Sequence, residues 1–229
     1  MPSLSQSLDL ARALCLARTS AALNRVDPQD VAGTWPMASA AVLASLTASQ
    51  DTAATLVADD MAAQLARVVG FDPGMDWTPV AKTAVRPPAD LAADLAVTPK
   101  ATAARRAAGM TPEDALAPSL AHVRGLAGSL AHETARQATA AVTSSSPAWE
   151  GWRWVPEAGA CPWCRMQASR GAVFTEATAV HSHTSCKCEP KAVVDRAEAR
   201  RLADEGRDTW ALMAATGDRP ARRAPVGAR

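Results

Sequence analysis

Four of the chain's five cysteines and two of its four histidines fall within the 28 residues from Cys161 to Cys188. The window opens with Cys161-Pro162-Trp163-Cys164. After 18 further residues it closes with His183-Thr184-Ser185-Cys186-Lys187-Cys188, and His181 stands just ahead of the second block. Thiolate and imidazole are the donors that zinc prefers, and two close-spaced sets joined by a loop can close a tetrahedral site. The x-x spacing lets Cys161 and Cys164 face one ion, and His183 and Cys186 repeat that spacing. In an extended strand Cys186 and Cys188 would share one face. The candidate ligands are therefore Cys161, Cys164, His183, Cys186 and Cys188, with His181 in reserve. The expected cofactor is one structural zinc ion per chain. A disulfide pair, unligated thiols or an iron–sulfur cluster are the competing readings.

A catalytic zinc keeps one coordination position open for water. Here five good donors crowd one ion, and thiolate-rich sites are usually closed. Glu176 and Glu189 stand nearby, but neither belongs to a hydrolase motif. His132-Glu133 begins as H-E-x-x-H begins, but the fifth position is Arg136. His132 and His122 read as helix-surface residues. No G-x-S-x-G context supplies a nucleophile. We therefore expect no catalytic residue. A cysteine nucleophile activated by His183 is the enzymatic alternative.

Three tryptophans, Trp149, Trp152 and Trp154, precede the window. Strand alternation would place Trp152 and Trp154 on one face. They read as the core of a small metal-stapled unit, which draws most of its apolar burial from a few large rings. A stacking platform for nucleic acid, with Arg153 and Arg165 beside it, is the alternative. Gly171–Thr175 and Glu189–Val194 read as two further short strands.

The elements that must hold this unit are helical. Alanine dominates a chain of 229 residues with only two Phe and no Tyr. Alanine favours helix but buries little area per residue. The expected fold class is mainly α, with long N-terminal and central helices and a small α+β zinc-stapled module near the C-terminus. Residues 3–25 carry apolar side chains at helical spacing through Leu4, Leu8, Ala11 and Cys15, widened by Leu10 and Leu14. Cys15 reads as a small buried hydrophobe. A second helix is expected from Pro36 to Val69, with a break near Ser49 to Thr52. Residues 71–110 read as a Pro-rich linker or arm with a short helix around 89–97. Thr111-Pro112-Glu113-Asp114 opens a long helix with break risks at Pro118 and Gly125-Gly128. The organisation is then 1–70 N-terminal helices, 71–110 linker, 111–148 long helix, 149–194 zinc module, and 195–229 a charged helix and disordered basic tail.

The net charge is +1 overall. That gives no global electrostatic case for nucleic acid. The balance shifts along the chain, from −3 over residues 1–100 to +3 over 191–229. From Arg219 onward there are four Arg and no acid, and this stretch is a candidate phosphate contact. The N-terminus lacks a basic segment followed by an apolar run, so no signal peptide is expected. No apolar run of membrane-spanning length is expected either. Clustered cysteines in a reducing cytosol point to metal rather than disulfides.

Three blocks occur in order: Gly151-Trp152-Arg153-Trp154-Val155, the run from Ala160 to Phe174, and His183-x-x-Cys186-x-Cys188-x-Pro190. Together they resemble the C-terminal part of phage Mu F-like (MuF-like) minor head or head morphogenesis proteins, in the form found in tailed actinobacteriophages. The resemblance covers about residues 149–190. It departs at Trp163, where Phe or Leu is usual, and His181 adds one donor. It implies a minor capsid protein acting structurally in head assembly at or near the portal and in DNA packaging or ejection. Implied partners are the portal, scaffold or major capsid protein, with packaged DNA met through the Arg-rich tail and no membrane. The implied location is the virion, in the head interior or portal vicinity, and the host cytoplasm during assembly. A capsid maturation protease and a zinc-ribbon-like nucleic-acid-binding protein are the alternatives.

Overall fold

The structure, a computed structural model, describes residues 3–72, 74–156, 159–171, 173–175 and 188–204. Seven helices make up 72% of them, beside one two-stranded sheet. In order these are α1 (Leu4–Leu23), α2 (Val31–Val69), α3 (Thr78–Lys82), α4 (Pro88–Ala107), α5 (Pro112–Ser145), β1 (Trp149–Val155), α6 (Pro162–Ser169), β2 (Glu189–Val194) and α7 (Arg196–Asp204). The mainly helical class read from the sequence is the class observed.

Helix boundaries follow their caps. Ser3 and Gln6 form a reciprocal capping box at the start of α1. Asp30 accepts the Gly33 N–H at 2.9 Å and so starts α2 five residues before the expected Pro36. Pro36 lies inside the helix, where it removes one intrahelical bond without ending it. There is no break at Ser49–Thr52. The Thr111 hydroxyl accepts the Asp114 N–H at 3.1 Å, as the start signal predicts, and α5 runs unbroken through Pro118 and Gly125-Gly128. Where one short helix is expected around 89–97, α4 continues for 20 residues across Pro99. Its end is a Schellman turn. Gly109 (φ +90°) donates to Arg106 O at 2.9 Å and Met110 to Arg105 O at 3.2 Å.

The chain divides into two compact units, and α2 and α5 each supply residues to both. In the first, built on residues of Met1–Ala53 and Val85–Thr134, the core gathers Cys15, Leu23, Trp35, Val42, Leu46, Leu91, Leu95, Leu116 and Leu130. Cys15 is buried with its Sγ 3.7 Å from the Ser45 carbonyl oxygen, in keeping with its reading as a core residue. Leu10 and Leu14, expected to widen the apolar face of α1, instead point outward at 62% and 50% exposure. Thr19, Ala22 and Leu23 complete the buried stripe in their place. Gln50 is fully buried and its side-chain amide grips the backbone of Arg86 at both ends. It accepts the Arg86 N–H at 3.0 Å and donates to the Arg86 carbonyl at 3.4 Å. The Arg86 guanidinium pairs with Asp94 at 2.7 Å. Arg105 of α4 donates to Ala115 O and Ser119 Oγ of α5 at 3.0 and 2.9 Å.

One expectation about α2 is overturned. By length and composition it is apolar enough to cross a membrane, with a mean hydropathy of 1.3 over its best window. The alanines between its Val and Leu positions raise that mean although no long run of large apolar residues is present. A third of that window is buried, and Val42 and Leu46 are fully buried in the first core.

The second unit, within Ala54–Ala84, Ala135–Ser182 and Lys187–Arg229, holds the sheet. β1 and β2 pair antiparallel from Trp149↔Val194 to Val155↔Glu189, and the register shifts between Trp149 and Gly151. The last three turns of α5 are buried on nearly every side, through Ala135, Arg136, Ala138, Thr139, Ala140, Val142 and Thr143. A helix buried all round must be built from small residues if its neighbours are to approach closely, and alanine fills that role here.

Candidate functional site

The tryptophan strand is the floor of the candidate metal module. Trp152 and Trp154 are buried while Arg153 and Val155 are exposed, the alternation the sequence predicts. Their rings meet edge to face with centroids 5.3 Å apart. Trp149 is also buried, and it packs on Trp77 at 6.1 Å. Buried rings are core, and they offer no free face on which a base could stack.

Gly171–Thr175 was expected as a strand. Among the described residues it makes a single antiparallel bridge, Trp152↔Phe174. The bridge is reciprocal, with N···O distances of 2.9 and 2.7 Å, and the two rings stack at 4.8 Å. Ser144 at the end of α5 donates to Thr175 O at 3.1 Å and fixes the same segment from another side. Gly151, at φ +143°, lets this segment approach, since a Cβ there would stand 2.2 Å from Phe174 O. The signal for this was a glycine in mid-strand, which marks a bulge or a close backbone approach.

α6 was not anticipated, and it presents the first cysteine pair. Cys161 is its N-cap, Pro162 follows, and the Cys164 N–H donates to Cys161 Sγ at 3.4 Å. Both sulfurs thus belong to one opening turn. Cys164 is buried and Cys161 half-buried. Trp163, between them in sequence, packs edge-on against Trp154 at 5.6 Å and ties α6 to β1.

Cys188 stands beside a different element. It is buried and directly precedes β2, whose first residue, Glu189, lies opposite Val155. Val155 is the last residue of β1, from which the chain leaves toward Cys161. The register therefore places Cys188 at the end of the sheet from which the first pair is reached. Sulfur donors from two elements, two of them buried and one accepting a backbone N–H, suit a thiolate-rich zinc site. His181, His183 and Cys186 lie outside the described residues. Among those described, no group of three or more His, Cys, Asp or Glu side chains is placed to hold an ion. Cys161, Cys164 and Cys188 alone do not complete a site.

The half-motif at His132 is corrected. His132 and Arg136 are 2% and 1% exposed, not surface residues. His132 Nε2 stands 3.4 Å from Asp9 Oδ1 of α1, so the side chain belongs to the packing of α5 on α1. His122 is exposed, as expected.

The family model described as VG15 protein matches residues 1–213. The chain belongs to the VG15 protein family. This is a family of phage gene products, which points to a virion-related protein. No curated protein and no solved structure matches the chain. The match spans the helices as well as the cysteine window, so the family likeness is not confined to residues 149–190.

Proposed function

We propose that this chain is a minor head protein of the MuF-like type, acting structurally in head assembly at or near the portal and in DNA packaging or ejection. The observation that carries the reading is the phage-family match over residues 1–213. The three sequence blocks resembling MuF-like proteins support it, since they coincide with β1, α6 and the approach to β2. In this reading a structural zinc ion draws its ligands from Cys161, Cys164, His183, Cys186 and Cys188. Metal binding folds the small unit, because such a site rarely exists in the unfolded chain. The long helices then supply contacts to portal, scaffold or major capsid protein. The proposal assigns no catalytic residue and no membrane contact. It puts the protein in the virion, and in the host cytoplasm while heads assemble.

The deciding experiment is genetic and compositional. Phage lacking the gene should yield defective or empty heads, and mass spectrometry of purified wild-type particles should find the protein at a few copies. Normal infectious particles without it would refute the assembly role. Metal analysis of the purified chain under reducing conditions should give about one zinc per chain. A metal-free, folded protein would remove the zinc staple while leaving the head role to the genetic test.

A further inference from the structure

Three elements of the second unit line an open cavity of about 430 Å³, and each contributes positive charge. Arg67 comes from the last turn of α2, Lys191 from β2, and Arg196 and Arg200 from α7. All four are exposed, and among the described residues no acidic side chain lines the cavity. We propose that this cavity binds phosphate groups of a nucleic-acid backbone.

Three described carboxylates near these cations have partners of their own. Asp195 Oδ1 accepts the Glu198 N–H at 2.9 Å and caps α7. Glu198 pairs with Arg201 at 3.0 Å, and Arg201 does not line the cavity. Asp60, one turn before Gln64 on α2, takes the Gln64 side-chain amide. None of the four cations has a carboxylate within ion-pair distance among the described residues. Like charges held around one concavity repel one another, and a polyvalent anion relieves that repulsion.

Phosphate suits the donors. Three of the four are Arg, whose planar fork matches phosphate geometry, and Lys adds a point charge. Among the described residues no aromatic ring lines the cavity, which favours contact with the backbone over stacking of a base. A polymer is favoured over a small anion by the chain that follows. Past α7 the sequence goes on to Arg219, Arg222, Arg223 and Arg229 with no acid among its last eleven residues, so the chain carries further cationic groups for a long anion. The inference rests on this cavity and its charges, and it holds whichever assembly role the family serves.

The test uses the full chain and a fluorescein-labelled DNA duplex of random sequence, read by anisotropy across a salt series. Four backbone contacts predict a slope of log K against log salt of about −3 to −4. Arg196→Gln with Arg200→Gln should weaken binding about tenfold or more at low salt and reduce the slope by about 2. Both positions are exposed, and an unchanged circular dichroism spectrum and melting temperature will show that the variant folds. A second variant with Arg219, Arg222, Arg223 and Arg229 replaced by Gln should keep the dependence on Arg196 and Arg200. Wild-type affinity in the first variant, or no duplex binding at low salt, overturns the proposal. Binding to phosphatidylserine vesicles that needs Arg196 and Arg200, without duplex binding, overturns it in favour of a lipid surface.

Discussion

Trp152 and Phe174 exchange both of their backbone hydrogen bonds and stack their rings, although β1 and residues 173–175 share no other ladder pair among the described residues. This bridge and the Ser144 hydrogen bond to Thr175 together fix the position of the segment that follows α6. The bridge can form only because residue 151 lacks a Cβ. Gly151→Ala must push the segment away and strain a backbone at φ +143°. The expected cost is about 3 kcal/mol. For a chain of this size that is a fall of roughly 6–12 °C in melting temperature by calorimetry. A variant as stable as the parent would show that the bridge is dispensable.

Gln50 makes a different kind of joint. Its amide holds both backbone groups of Arg86, as a neighbouring strand would. Gln50→Leu preserves most of the volume and leaves two polar backbone groups without their partner. Urea titration should show a loss of about 2 kcal/mol with an unchanged m-value. An unaltered midpoint would mean that water replaces the amide at no cost.

The Thr111 cap is a local contribution. Thr111→Ala removes the acceptor for the Asp114 N–H at the start of α5 and should cost about 1 kcal/mol. Thr111→Ser should restore most of it. Equal stability of the Ala and Ser variants would show that the hydroxyl contributes nothing there.

Asp76 contributes to the acid dependence of stability. Hydrogen bonds from the Thr78 side chain and backbone N–H stabilise its carboxylate and hold its pKa below the ordinary 3.8. A depressed folded value means that its contribution is complete above 3.8 and is lost as pH falls through the lower folded value. Carboxyl-carbon NMR titration should place Asp76 below its ordinary value of 3.8. Asp76→Asn should reduce the slope of stability against pH in that acid window. An Asp76 titration at its ordinary value would contradict the hydrogen bonds.

Removal of metal tests the module itself. If zinc binds through the cysteine window, a strong chelator should expose Trp152, Trp154 and Trp163 to a collisional quencher. The first unit should keep its helical signal, because its core contains none of the candidate ligands. Loss of all helical signal on chelation would mean that the whole chain depends on the metal.

Much of this architecture was legible in the sequence because it depends on local chemistry. Thr111-Pro112, the alternation of Trp152 with Trp154, and the strand Glu189–Val194 all carry signals within a few residues, and each holds in the fold. What was missed depends on distant partners. Pro36 looks like a helix start and Pro99 like part of a linker, but each lies inside a longer helix. Leu10 and Leu14 look like core until the neighbours of α1 decide which stripe is buried. His132 reads as surface until Asp9, 123 positions earlier, meets it. The cavity of Arg67, Lys191, Arg196 and Arg200 has no sequence signature, because Arg67 of α2 is far in sequence from β2 and α7.

The ring chain through Trp163, Trp154, Trp152 and Phe174 also has an optical consequence. Neighbouring indoles meet edge to face at 5.6 and 5.3 Å, close enough for their electronic transitions to couple. With no Tyr in the chain, the aromatic circular dichroism arises almost wholly from tryptophan. Assembly of the cysteine-bearing unit should therefore carry its own spectroscopic signature, readable without a label.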